Sequence, residues 1–349
     1  MVLHRAGRLL HLMAKPAILV PRNMDSDCKE SIAKLAASVG YTACGITGTE
    51  PFVEYVAEVE RRMQRFPATV GLYLPLLGRA YPRARMPWAR SIVVCVREYG
   101  KYVIPDRLDR YIGRTYLFDR RYGSVPDHDM PDRMRAGLKG MGLRVRTGGV
   151  PCRWAAARAG IARIGRNCFA YTERSGSWIN IEAWLVDAEL PPDRPTLDCP
   201  CPPDCRACTD ACPTGALVEP YVMRADRCAA YLSYSAPEPI APELWQAMGC
   251  WIYGCDACQI ACPMNNGKWR EESRAGWLEA VVGSLRPEVL AEMTDDFYRE
   301  VVYPLFWYIP KDGADRWRRN ARRALAAMSD RSSANGSPDA RTQEGSATS

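Results

Sequence analysis

Two cysteine runs, each closing on Cys-Pro, constrain this chain more than anything else in it. The first reads C-P-C-P-P-D-C-R-A-C-T-D-A-C-P from Cys199 to Pro213, the second C-W-I-Y-G-C-D-A-C-Q-I-A-C-P from Cys250 to Pro263. C-x2-C-x3-C-P is how a chain wraps a [4Fe–4S] cluster, and two copies imply two clusters. Thiolate sulfur donates strongly to iron, and two-residue gaps let sulfurs turn around one corner of a cubane. The cysteine after the three-residue gap is expected to start a helix and point away, toward the other cluster. The proline behind it suits a first helical turn, where no amide donor is needed.

On that spacing Cys205 and Cys208 share a cluster with Cys262, and Cys255 and Cys258 share one with Cys212. Each set lacks a ligand. Pro202 stands where the usual run has a cysteine, so Cys201 or Cys199 must substitute, with Cys201 the nearer. Cys228 and Cys250 are both open for the second set. The competing reading is a zinc ribbon, which pairs C-x2-C units but does not call for C-x3-C-P twice.

The chain has fifteen cysteines in 349 residues, ten of them between Cys199 and Cys262. A secreted disulfide scaffold would be shorter and would spread its cysteines more evenly. Reduced thiolates in a cytoplasmic protein, most of them holding metal, fit this pattern. No run of about 18 apolar residues is present, so no membrane role is expected. Residues 1–24 are basic, lack a twin-arginine motif and read as an upstream extension, with a helix start at Met24–Asp25. Residues 329–349 read as a disordered tail.

Between these ends, amphipathic or glycine-stopped helices are expected over 27–40, 52–66, 130–142 and 154–160. Strands are expected at 41–48, at Ser91–Tyr99 as a buried central strand, and at Trp178–Asp187. This alternation argues an α/β (α+β) domain over 25–195. A proline-rich linker at Pro191–Pro203 leads to a bacterial two-[4Fe–4S] ferredoxin domain over 196–275, and C-terminal helices follow over 276–328.

Residues 199–217, R-A-D-R-C-A-A-Y-L-S-Y at 224–234 and I-Y-G-C-D-A-C-Q-I-A-C-P at 252–263 resemble the epoxyqueuosine reductases. That family shares its architecture with the corrinoid-dependent reductive dehalogenases. The resemblance extends to A-R-S-I-V-V-C-V-R-E-Y at 89–99, A-R-A-G-I-A-R-I-G-R-N at 157–167 and S-G-S-W at 175–178. It implies a nitroreductase-like, corrinoid-binding domain ahead of the clusters, and Cys228 as the missing ligand. It implies a reductase in which the clusters feed electrons to cobalamin. Gly165, Arg166, Asn167, Ser177 and Trp178 match segments lining the corrinoid pocket, and Tyr99 matches a tyrosine near it. The family's acid is an aspartate three residues before a proline. Here Gly148 holds that place, and glycine has no proton to give. Tyr99 and Cys152 are the candidate substitutes. The three histidines are His4, His11 and His128, without a D-x-H-x-x-G motif, so a base-off corrinoid with no protein ligand to cobalt is expected.

From Arg83 to Arg166 there are nineteen Lys and Arg against seven Asp and Glu, interleaved with tyrosines. Such a stretch suits a tRNA or an anionic small molecule as substrate. It also suits an acidic electron donor such as flavodoxin or ferredoxin. The alternatives to a corrinoid reductase of tRNA or a small molecule are an electron-transfer module serving a partner enzyme and a cytoplasmic reductive dehalogenase.

Overall fold

The structure, a computed structural model, describes residues 22–23, 26–118, 127–306 and 308–335. The expected N-terminal extension and helix start at Met24–Asp25 lie essentially outside these residues, as does the tail beyond residue 335.

Four strands form the main sheet: β1 Ala43–Gly48, β2 Ser91–Glu98, β3 Val145–Thr147 and β4 Ile179–Val186, in the order β1-β2-β4-β3. Every pairing is antiparallel. The helix–strand alternation in the sequence therefore builds an α+β sheet rather than a parallel one with crossover helices. β2 is central, and all eight of its residues are buried. Its near-continuous apolar run reflects cover on both faces.

One face carries α1 (Ser26–Val39) and α3 (Met130–Gly140). Ile32, Val39, Met134 and Leu138 pack there on Val93 and Trp184. The other face carries α2 (Val53–Arg65) and α4 (Cys152–Arg158). Ala155, Ala156 and Ala157 bring α4 close to Ile92, Val94 and Leu185. The approach is tight: a Cβ at Gly45 of β1 would stand 2.4 Å from the Ala159 carbonyl oxygen, so only glycine fits.

Three short helices of the cysteine-rich segment carry or adjoin its cysteines: α5 (Ala207–Asp210) with Cys208, α6 (Ala229–Tyr234) just after Cys228, and α7 (Ala257–Ile260) with Cys258. α5 and α7 pack together. Cys262 caps a 3-10 turn, Pro263–Asn265, with its proline in the first position as expected. Cys212 departs from that expectation: a turn and then strand Leu217–Glu219 follow it, with no helix.

Downstream, residues 276–328 break into short helical pieces before α8 (Ala314–Asn335). That helix runs past residue 328, so residues 329–335 are helical and not part of a tail. Its Trp317 stacks on Tyr253 with ring centroids 4.8 Å apart. The same core continues through Ile112 and Trp277 to Tyr99 and Trp178 at the end of the sheet. Sheet, cysteine-rich segment and C-terminal helices thus share one hydrophobic junction. Among the described residues, no helix is long and apolar enough to cross a membrane.

Candidate iron-sulfur centre and its junction with the sheet

The fold brings cysteines of the two runs within electrostatic reach of one another. Cys201 lies within electrostatic reach of Cys262, and Cys208 within reach of Cys262 and Cys205. Cys258 is in reach of Cys255, Cys228 and Cys212, and Cys255 likewise of Cys228 and Cys212. Of the two open choices, Cys228 lies near Cys212, while Cys250 sits beside Arg323. Cys199 is exposed and lies close to Cys201 and Tyr221.

Burial pushes the Cys228, Cys255 and Cys258 thiols up, with neighbouring thiols adding to it. Burial also pushes Cys201 up, to about 11. Four buried thiolates together are costly without cationic charge between them, and thiolate ligation to iron supplies that charge. Among the described residues no three His, Cys, Asp or Glu side chains converge on one metal ion. Thiolate sulfur is the donor that a [4Fe–4S] cubane takes.

The segment 165–178 ties the sheet to these groups. The Arg166 main-chain N–H donates to Cys201 Sγ at 3.4 Å, and its guanidinium donates to the carbonyls of Cys205, at 3.2 Å, and Pro203. Asn167 Nδ2 donates to the Tyr171 hydroxyl at 2.7 Å and to the Cys258 carbonyl at 3.5 Å. A Cβ at Gly165 would stand 2.6 Å from the Tyr171 ring, so glycine lets that ring lie flat on the turn. Ser177 Oγ donates to Gln259 Oε1 at 2.9 Å and accepts from Asn265 Nδ2 at 2.9 Å. The Ser177 N–H donates to Asn265 Oδ1 at 2.8 Å. These residues, expected to line a cofactor pocket, spend much of their polar capacity holding the cysteine-rich segment.

Tyr99 and Trp178 are buried side by side, with ring centroids 6.4 Å apart. Burial, then the nearby Asp256 carboxylate, push the Tyr99 hydroxyl above its ordinary range, so it keeps its proton at neutral pH. Cys152, at the start of α4, is half-buried; burial followed by Glu182 pushes its thiol up, and Sγ lies 3.6 Å from the Val150 carbonyl. Gly148 has φ +70°, and a Cβ added there would meet nothing within 4 Å.

Sequence reasoning missed several junction residues. Arg114 is stacked between Trp178 and Trp269, its guanidinium carbon 4.7 and 4.6 Å from the two rings. Its main-chain N–H donates to Asp256 Oδ2 at 2.7 Å. Burial raises Asp256 to about 6, against the pull of Arg114. Arg114 Nε and Trp178 Nε1 are buried without a hydrogen-bond partner. Glu98, at the end of β2, accepts from Ser175 Oγ at 2.5 Å and pairs with Arg270 at 2.9 Å. Burial works to raise Glu98, but Ser175, Arg270 and Arg174 together hold it below its ordinary range. The one signal for these was the position of Asp256 inside the second motif.

A sheet domain docked on a segment with two C-x2-C-x3-C-P runs marks the class as an iron–sulfur oxidoreductase. Residues 201–265 match the 4Fe-4S double cluster binding domain. The epoxyqueuosine reductase of Alicycliphilus denitrificans is 30% identical over 253 residues, 66% of this chain and 68% of that protein. That of Xanthomonas campestris pv. campestris is 28% identical, over 84% of this chain and 85% of its own. The chain belongs to the epoxyqueuosine reductase family. The structure of epoxyqueuosine reductase from Streptococcus thermophilus superposes with a TM-score of 0.71 at 25% identity, covering 88% of this chain and 83% of that one. A solved epoxyqueuosine reductase with an epoxyqueuosine-modified tRNA-Tyr stem loop superposes at 0.66, with 25% identity and the same coverage.

Proposed function

We propose that the chain is a cobalamin-dependent reductase in which Cys201, Cys205, Cys208 and Cys262 hold one [4Fe–4S] cluster. Cys212, Cys228, Cys255 and Cys258 hold the other. The observation that carries this reading is the electrostatic reach of Cys262 to Cys201 and Cys208, and of Cys212 to Cys255 and Cys258. The clusters, when bound, supply single-electron carriers. The second group abuts Asp256, whose carboxylate bonds Arg114 and acts on Tyr99. It is therefore the group that faces the junction.

The corrinoid seat belongs at this junction. Family membership supports it, and so do the orphaned polar atoms of Arg114 and Trp178, which a bound polar group would satisfy. A corrinoid supplies a redox-active cobalt that the protein itself lacks. The chain's own residues position it: Trp178 and Tyr99 give apolar faces, and Tyr99 holds a proton at its hydroxyl. Cys152, with a protonated thiol, is the second proton source. The basic stretch from Arg83 to Arg166 would receive a tRNA or an anionic small molecule, and an acidic flavodoxin or ferredoxin as donor. A relative solved with a modified tRNA stem loop favours tRNA.

The test is anaerobic reconstitution with iron and sulfide, followed by cobalamin. A base-off Co(II) paramagnetic signal, with epoxyqueuosine-modified stem loop reduced under a strong reductant, is expected. No cobalamin binding at micromolar concentration would end the corrinoid reading. Binding without turnover of the stem loop would move the substrate to a small molecule.

A further inference from the structure

β1 and β2 place two cysteines directly opposite each other, Cys44 against Cys95. Neither belongs to the cluster groups. Residues facing each other across an antiparallel ladder project to the same side of the sheet. Here that side is the one covered by α1 and α3, and both sulfurs belong to its core.

The ladder also fixes how close they stand. In an antiparallel sheet a residue directs its N–H and C=O toward one neighbouring strand, and the next residue directs them toward the other. The Gly148 N–H donates to the Ala183 carbonyl, so Ala183 faces the β3 side and Glu182 faces β2. The Tyr99 N–H donates to the Trp178 carbonyl, so Tyr99, Arg97 and Cys95 face β4. Both bonds give one parity: the Cys95 backbone turns to Glu182, its register partner on β4, and away from Cys44. Cys44 and Cys95 are therefore a non-hydrogen-bonded pair, in which Cα atoms approach to about 4.5 Å and side chains are closest. Disulfides span Cα separations of about 4.4–6.8 Å. This pair sits at the short end, where a bond forms without moving the strands but carries strain. Strained disulfides are the readily reduced ones.

We propose that Cys44 and Cys95 form a reversible redox-active dithiol that closes to a cross-strand disulfide with low-molecular-weight disulfides. Access is unequal: Cys44 is half-buried, whereas Cys95 is fully buried. Cys44 therefore reacts first. Its thiolate attacks one sulfur of the incoming disulfide, that S–S bond breaks, and one small thiol leaves with a proton. The Cys95 sulfur then attacks Cys44 sulfur in the mixed disulfide and expels the second small thiol, which takes the remaining proton. Two protein thiols are oxidised to one disulfide, and one small disulfide is reduced to two thiols. The two thiols lie within electrostatic reach of each other, which keeps the attacking sulfur beside its target in the second step.

The test uses the full chain with its clusters loaded, treated anaerobically with oxidised glutathione, alkylated and mapped by peptide mass spectrometry. A Cys44–Cys95 linked peptide is expected, with no lasting glutathione on Cys44 and full reversal by dithiothreitol. In Cys95→Ala the second step is lost, and glutathione should accumulate on Cys44. Exposed Cys199 reports that the oxidant is active. Lasting glutathione on Cys44 in the unsubstituted chain would overturn the proposal. So would a link from either cysteine to Cys28, which lies in the same core, or an untouched pair in a sample where Cys199 has reacted.

Discussion

The two thiol quartets share one motif but sit in different surroundings. The first lies against the Arg166 turn and Tyr221, with exposed Cys199 beside it. The second lies between α6, Asp256 and the Arg114 segment, where Gly113 passes so close that a Cβ would stand 3.1 Å from the Cys255 nitrogen. Burial raises three of its four thiols, Cys258 well above its ordinary range. Exposure does not separate the two, since Cys208 and Cys262 of the first are buried and the four of the second are partly exposed. The difference comes from what packs outside the cysteines, not from their spacing.

The largest expected effect is at the second quartet. Cys258→Ala should drop iron from about eight to about four per chain or fewer, with loss of native circular dichroism. Cys201→Ala should lose the same iron but keep the fold; equal unfolding of the two variants would erase the contrast. Within the second quartet, Cys228→Ala should halve the iron while Cys250→Ala leaves it intact, and the reverse result would exchange their places.

Next comes the strut between sheet and cysteines. Asn265→Ala removes three hydrogen bonds to Ser177 and Gln259 and should cost about 3 kcal/mol in urea unfolding. Glu98→Gln should cost about 2 kcal/mol at neutral pH by weakening the Arg270 and Ser175 contacts. Because the folded Glu98 carboxyl is held low, its contribution is present above the ordinary carboxylate range and lost as pH falls. The gap between Glu98→Gln and the unsubstituted chain should close in acid; a constant gap would mean that charge plays no part. Smallest is Gly148→Asp, which restores the family's acid in open space at positive φ and should cost about 1 kcal/mol in thermal melts. A rise in stem-loop reduction in that variant would place the proton donor there.

Much of this was legible in the chain. β2 was visible as a β-branched run, and the quartets as spacing. Sheet direction was not, because alternation of helix and strand does not encode whether neighbouring strands run parallel or antiparallel. Spacing left Cys228 and Cys250 both open, and only tertiary packing sets Cys228 near Cys212 and Cys250 near Arg323 of α8. Gly165, Asn167 and Ser177 were legible as a recurring segment but not as struts. Their partners, Cys258, Gln259 and Asn265, lie far along the chain. Arg114 carried no motif at all; only its place between two tryptophans marks it.

The exchange of Cys212 and Cys262 bears on how the protein is made. A ribosome releases the chain from its N-terminus, so Cys201, Cys205 and Cys208 emerge well before Cys262. On the proposed ligand scheme the earlier site stays one sulfur short until the second run is out, and the later site needs Cys212 and Cys228 already in place. Neither cofactor can be completed until the second run emerges. Assembly machinery would meet two half-built sites that finish four residues apart, Cys258 closing one and Cys262 the other, and a chain truncated before Cys255 would complete neither.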